Sequence, residues 1–193
     1  MATIKQARTA KKVYQLRIEL ADVQPTVRRT LWVPDTIKVS RLDKVMQAAF
    51  GWANKHLHEF RIAGRRYGQT DFADRDDREL LDERLFTLEG VVGTSIREFI
   101  HDYDFGDGWR HRILVEHIID ANEYNNWPLC VDGENACPPE DVGGPHGYAS
   151  FVALMADPTH EHYLEMWRWH GGPFNPEAFE ISAANTRIRK IGG

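Results

Sequence analysis

The sequence predicts an α+β domain: a mixed, largely antiparallel sheet (ββαβ, then a β-hairpin) covered by helices, with a C-terminal helical segment. Three observations predict it. Apolar and polar residues alternate in several short runs bounded by turn residues, which is the period of half-buried strands. One strong amphipathic stripe follows the second run. The other helical stripes gather towards the C-terminus instead of alternating with strands, which separates this pattern from a doubly wound α/β fold.

In chain order, Tyr14, Leu16, Ile18 and Leu20 share one face of a strand over residues 13–20. A turn at Asp22 to Pro25 leads into a second strand, with Val27, Arg29, Leu31 and Val33 on one face, ended by Pro34. Leu42, Val45, Met46, Ala49 and Phe50 then follow helical spacing, with Ser40 as the expected N-cap and Gly51 as the stop. Residues 56–63 read as a third strand, and His56 and His58 on it are not expected to share one ligand. The charged stretch 69–84 reads as an exposed loop entering a short helix near Leu85 to Leu88. Residues 94–104 and 109–118 are two further strands around Gly106-Asp107-Gly108. Four prolines and four glycines in residues 128–147 predict an irregular loop. Helices resume at 148–156 and 160–169, the second capped by Thr159, and Asn175-Pro176 opens a short helical turn.

The chain has 193 residues, of which 42% are hydrophobic and 27% charged. That length suits a single domain over 1–193, and the apolar content is too high for intrinsic disorder. No run of apolar residues is long enough to span a membrane. Residues 1–12 carry Lys5, Arg8, Lys11 and Lys12 with no apolar run behind them, unlike a signal peptide. Two cysteines are too few for a disulfide scaffold, so the expected setting is cytoplasmic. Net charge is −5 and unevenly spread: +9 over residues 1–66, −4 over 67–97, −9 over 98–146 and −1 over 147–193. The basic third suits an acidic partner or nucleic acid, but internal neutralisation within the fold is the favoured account of it.

Two stretches carry the chemistry. The first is His101-Asp-Tyr-Asp-Phe-Gly-Asp-Gly-Trp-Arg-His111. A type I′ turn with Asp107 and Gly108 at its centre would set Asp104 opposite His111, with the facing Cβ atoms roughly 5 Å apart. Asp104 would then orient the imidazole as a general base or metal ligand. A salt-bridged hairpin packed by Tyr103, Phe105 and Trp109 accounts for the same residues without a site. The second stretch runs from Cys130 to Tyr148 and holds Glu140, Asp141 and His146 in a Pro- and Gly-rich loop. Cys130 and Cys137, with His111 or His146, would complete a thiolate and imidazole zinc set, although their spacing is not that of a tight knuckle and free thiols explain them as well. Gly143-Gly144-Pro145-His146-Gly147 lacks the Lys-Ser/Thr ending of a phosphate loop, and the nearby carboxylates repel phosphate.

These stretches, together with Tyr14-Gln-Leu-Arg-Ile-Glu-Leu, Ala49-Phe-Gly-Trp52 and His56-Leu-His-Glu-Phe60, resemble the plasmid pRiA4b ORF-3-like family over roughly residues 12–190. The resemblance implies an α+β domain often encoded near mobile elements, with no established activity. Some members of that family carry a resolvase label. It does not suit this chain: Ser40, Ser95, Ser150 and Ser182 are the only serines, and none sits in an arginine-rich, N-terminal nucleophile setting.

The expectation is therefore a binding or interaction domain with a protein or small-molecule partner, using Asp104, Asp107, Trp109, His111, Glu140, Asp141 and His146. The alternative is a metal-dependent hydrolase with His111 as base or ligand, assisted by Asp104, Glu140 or Asp141. Nucleic-acid binding by the basic third is weaker, because no helix-turn-helix with a basic recognition helix is legible.

Overall fold

A computed structural model describes residues 10–72, 79–121 and 128–191. The expected opening hairpin is present as β1 (Lys12–Leu20) and β2 (Arg28–Pro34), antiparallel, with Leu16 opposite Leu31 and Tyr14 opposite Val33. The predicted amphipathic helix is α1 (Val39–Phe50), ended at Gly51, whose φ of 105° suits glycine. Its cap differs from expectation. Ser40 lies inside the helix, and Lys38 precedes it in an extended conformation. Lys38 bridges Thr87, and the Val39 N–H donates to Phe86, so a neighbouring segment satisfies the first helical donor and no side-chain cap is needed.

The next strand, β3 (His58–Ile62), turns at Ala63-Gly64 into β4 (Arg65–Gly68), and β5 (Leu80–Asp82) pairs parallel to β4. β5 lies in the stretch expected to be an exposed loop; residues 73–78 of that stretch fall outside the described residues. The short helix is α2 (Leu88–Val92), later than expected because Thr87 caps it by accepting from the Gly90 N–H at 3.3 Å. β6 (Glu98–Tyr103) and β7 (Trp109–Asp120) follow as predicted.

The largest departures lie in the C-terminal part. β8 (Leu129–Glu134) occupies the region expected to be irregular and pairs with β2. The prolines that signalled a loop, at positions 128, 138, 139 and 145, all lie outside the strand itself. α3 (Gly144–Met155) begins four residues before Tyr148, with Pro145 in its first turn, where a missing N–H costs nothing. α4 (Tyr163–His170) starts after the expected Thr159 cap, whose N–H and hydroxyl instead donate to Asp157 in a preceding turn. The sequence predicts a short turn at Asn175-Pro176; a full helix, α5 (Ile181–Ile191), follows and buries Ala184 and Ile188.

Together these elements make an eight-stranded sheet of order β5-β4-β3-β6-β7-β1-β2-β8, antiparallel except at β4–β5. The fold class is α+β. α1 buries Leu42, Val45, Met46 and Ala49, and α5 packs alongside it, with Arg187 Nε donating to the Ala48 carbonyl at 2.7 Å. At the β8 edge, Cys130 gives both main-chain groups to Asn185: its N–H donates to Oδ1 and its carbonyl accepts from Nδ2, each at 2.8 Å. Among the described residues no helix is long and apolar enough to cross a membrane.

Candidate functional site

The turn between β6 and β7 decides which groups meet. Asp104 leaves the strand with a positive φ of 53°, and its Oδ1 accepts from the Gly106 and Asp107 N–H groups at 3.1 and 3.3 Å. Its carbonyl accepts from Gly108 N–H at 2.6 Å. The connection therefore spans residues 104–108 instead of two, and the register moves with it. Tyr103 pairs with Trp109 and His101 with His111. The expected partnership of Asp104 with His111 is not formed, because the Asp104 carboxylate is used to fold the turn.

The same turn brings the two predicted stretches together. The Asp107 carboxylate accepts from the Gly143 N–H at 3.1 Å. Gly144 packs so closely on the Asp107 carbonyl that a Cβ there would overlap it, and its φ of 69° independently favours glycine. Glu140 Oε1 accepts from the Tyr103 hydroxyl and from the Ala53 N–H, both at 3.0 Å, while Trp52 Nε1 donates to the Pro138 carbonyl at 2.9 Å. Burial, helped by Glu140, holds the Tyr103 hydroxyl above its ordinary pKa. At the surface of this seam His56 Nε2 lies 3.5 Å from Asp104 Oδ2 and 3.2 Å from Asp141 Oδ1. The three ligand atoms converge within 4.8 Å. Asp141 has a 63% exposed side chain and Asp104 a 12% exposed one, so the cluster opens to solvent on one side.

A second cluster lies inside the molecule. Directly opposed residues on adjacent strands share a face, and β3, β6 and β7 place Phe60, His101 and His111 in one such row, with His58 two residues along β3. α1 sets Asp43 against that row. Asp43 Oδ1 is 3.1 Å from His101 Nε2, and Asp43 Oδ2 is 3.5 Å from His58 Nδ1. Outside this pair of contacts, His58 Nε2 meets Glu83 Oε2 at 2.7 Å and His101 Nδ1 meets His111 Nδ1 at 3.2 Å. Asp43, His58, Glu83, His101 and His111 are all at most 4% exposed. Burial alone raises the Asp43 carboxyl, yet the hydrogen bond from His101 and the nearness of His58 hold it below its ordinary pKa. Burial lowers His58, but Glu83 and Asp43 outweigh it and the net direction is upward. His101 and His111 are both lowered, first by burial, and His111 also by His101 beside it.

Of the predicted residues, Asp104, Asp107, Glu140 and Asp141 meet at the seam. Trp109 is core, with its ring 5.5 Å from that of Trp52. His111 is core as well, edge-on to Phe50 at 4.9 Å. His146 is exposed in the first turn of α3. The zinc set of Cys130, Cys137 and His111 is not assembled. β1 and β2 separate β7 from β8, and Cys130 lies in the row of Val115, four residues along β7 from His111, so the two are well over about 14 Å apart. Burial pushes the Cys130 thiol up to about 11 and the Cys137 thiol up as well, away from the thiolate a metal needs. Sequence reasoning missed Asp43, Glu83 and His101 as chemical groups, and passed over His56. Asp43 is the detectable one: it interrupts the apolar stripe of α1 on its buried side.

Comparison with known proteins agrees with this architecture. The profile of the family described as plasmid pRiA4b ORF-3-like protein matches residues 12–183. The uncharacterized protein y4hQ of Sinorhizobium fredii is 40% identical over 173 residues, covering 90% of this chain and 86% of that protein. A crystal structure of MM3350 from Methanosarcina mazei Go1, a protein of unknown function, superposes with a TM-score of 0.82 at 32% identity, covering 90% of this chain and 98% of that one. The chain belongs to the plasmid pRiA4b ORF-3-like family.

Proposed function

We propose that this family member is a cytoplasmic binding domain whose recognition surface is the seam between loop 104–108 and loop 138–143. One observation carries the reading: His56, Asp104 and Asp141 converge on an open face, on loops held by the Asp107–Gly143 and Tyr103–Glu140 hydrogen bonds. A preorganised acidic patch loses little freedom on binding. Phe105, 58% exposed, stands in the same loop beside the half-exposed Leu57. The chemistry suits a protein segment that presents a lysine or arginine next to an apolar side chain. The plasmid origin in the family name supports an association with mobile elements.

Selection of random peptides against the full chain tests this. Enrichment of basic residues beside aromatic or aliphatic ones is expected, with enriched peptides losing affinity at least tenfold for Asp141→Lys, whose side chain is largely exposed. Selection of no such pattern, or equal binding by the reversed variant, removes the reading.

A second reading, a metal-dependent hydrolase, is favoured by the ligand-like convergence of His56, Asp104 and Asp141, with His56 in the place expected of His111. Glu140 and Tyr103 would flank it. Hydrolysis of nitrophenyl esters or phosphoesters that depends on added Mn²⁺ or Zn²⁺ and disappears in Asp141→Asn is the result it requires.

A further inference from the structure

We propose that the buried side chains of Asp43, His58 and His101 bind one divalent transition-metal ion, at a site distinct from the seam. Four observations on the same residues support this, and none depends on the binding reading above.

The first is spacing. Two bonds of about 2.0–2.1 Å at a tetrahedral centre put ligand atoms about 3.3 Å apart. Asp43 Oδ1 is 3.1 Å from His101 Nε2, Asp43 Oδ2 is 3.5 Å from His58 Nδ1, and the ligand atoms of all three residues converge within 4.8 Å. Small rotations of the side chains would complete a site of two imidazoles and a carboxylate.

The second is the outer shell. A metal-binding histidine generally engages its second ring nitrogen with a carboxylate or another polar partner, which fixes its tautomer. Both imidazoles here do so on the side away from Asp43: His58 Nε2 on Glu83 at 2.7 Å, and His101 Nδ1 on His111 at 3.2 Å. In the tautomers with His58 Nε2–H donated to Glu83 and His101 Nδ1–H donated to His111, lone pairs of both rings would face the Asp43 carboxylate, and a metal ion would take the place of the His101–Asp43 hydrogen bond.

The third is an unmet need for partners. Asp43 Oδ2 and His58 Nδ1 are buried and make no hydrogen bond, and neither does Gln47 Oε1 one turn along α1 from Asp43. Unpaired buried polar atoms are costly, and several around one point call for an explanation. The fourth is charge. Two buried carboxylates, Asp43 and Glu83, lie against these imidazoles, and one dication would balance them.

Three protein ligands leave a coordination position open, as in sites that take water or a substrate group. His58 forms part of the wall of a cleft of about 320 Å³, lined also by Leu57, Arg61, Phe72, Leu80 and Phe105. The donor set of two nitrogens and an oxygen selects zinc and neighbouring first-row ions over Ca²⁺ or Mg²⁺.

Zinc-edge X-ray absorption on the full chain, stripped with a chelator and reloaded with Zn²⁺, reads the site without any substitution. One zinc per chain is expected, with a nitrogen and oxygen shell, outer scattering from two imidazoles and no sulfur. A sulfur shell, a single imidazole, or a folded chain that retains no stoichiometric zinc overturns the proposal. Glu83→Gln, which keeps shape and removes charge, is expected to weaken Zn²⁺ affinity about 10- to 100-fold. Asp141→Asn is expected to leave it unchanged. The reverse pattern would assign the ion to the surface cluster and end this proposal, whereas loss of peptide selection alone would end only the binding reading.

Discussion

The molecule builds nearly the same set of side chains twice, once inside and once at its surface. Asp43, His58 and His101 are carried by a helix and two central strands, each at most 4% exposed. His56, Asp104 and Asp141 are carried by connecting segments, and Asp141 is largely exposed. Both triads converge within 4.8 Å. The difference lies in the solvent. In a low-dielectric interior an uncompensated charge costs several kcal/mol, while water screens the same charge at the surface. The inner triad is therefore tied to stability and the outer one is free to serve recognition.

Removing one carboxylate from each triad gives the widest expected separation. Asp43→Ala should destabilise the metal-free fold by about 3–5 kcal/mol in urea unfolding, since it strips His58 and His101 of their shared partner. A loss under about 1 kcal/mol would break the comparison. His111→Ala is next: the ring fills space against Phe50 and Trp52, so a loss of about 2 kcal/mol or more is expected. An unchanged melting temperature would restore His111 as a functional group without structural duty.

Acid sharpens the contrast further. His111 is held neutral in the fold by burial and by His101, with Phe50 and Trp52 also against it. Below its unfolded pKa of 6.5 the unfolded chain takes up a proton that the folded chain refuses, so stability falls as pH drops. Its share of the slope approaches about 1.4 kcal/mol per pH unit. In His111→Gln the pH dependence between about 6.5 and 5 should be shallower than in the parent; an identical slope would show that His111 titrates freely. The smallest effect is expected at the surface, where Asp141→Ala should change stability by no more than about 0.5 kcal/mol. A larger loss would mean that the seam holds the fold together.

What is legible in the sequence follows the same division. β1, β2 and α1 are read from their own periodicity because each exposes one face and buries the other. β4 and β5 are short pieces at the sheet edge, four and three residues long, too few for alternation to register. β8 escapes because it is flanked by prolines and completed by β2, a partner about a hundred positions away. The meeting of the two loop stretches is legible from their residue types. Which atoms meet is not, since a turn of five residues in place of two sets His111 opposite His101. The inner triad depends on three elements far apart in the chain. Its one local signal is an aspartate at a core position of α1, the kind of conflict that marks a site.

The Asn185 amide at Cys130 carries a consequence for how copies of this protein coexist at high concentration. A bare outer strand is a template on which a neighbour's backbone can crystallise into a shared ribbon. Here the Asn185 side chain occupies one such rung, at Cys130, which shortens the stretch of bare margin that a neighbour could pair with.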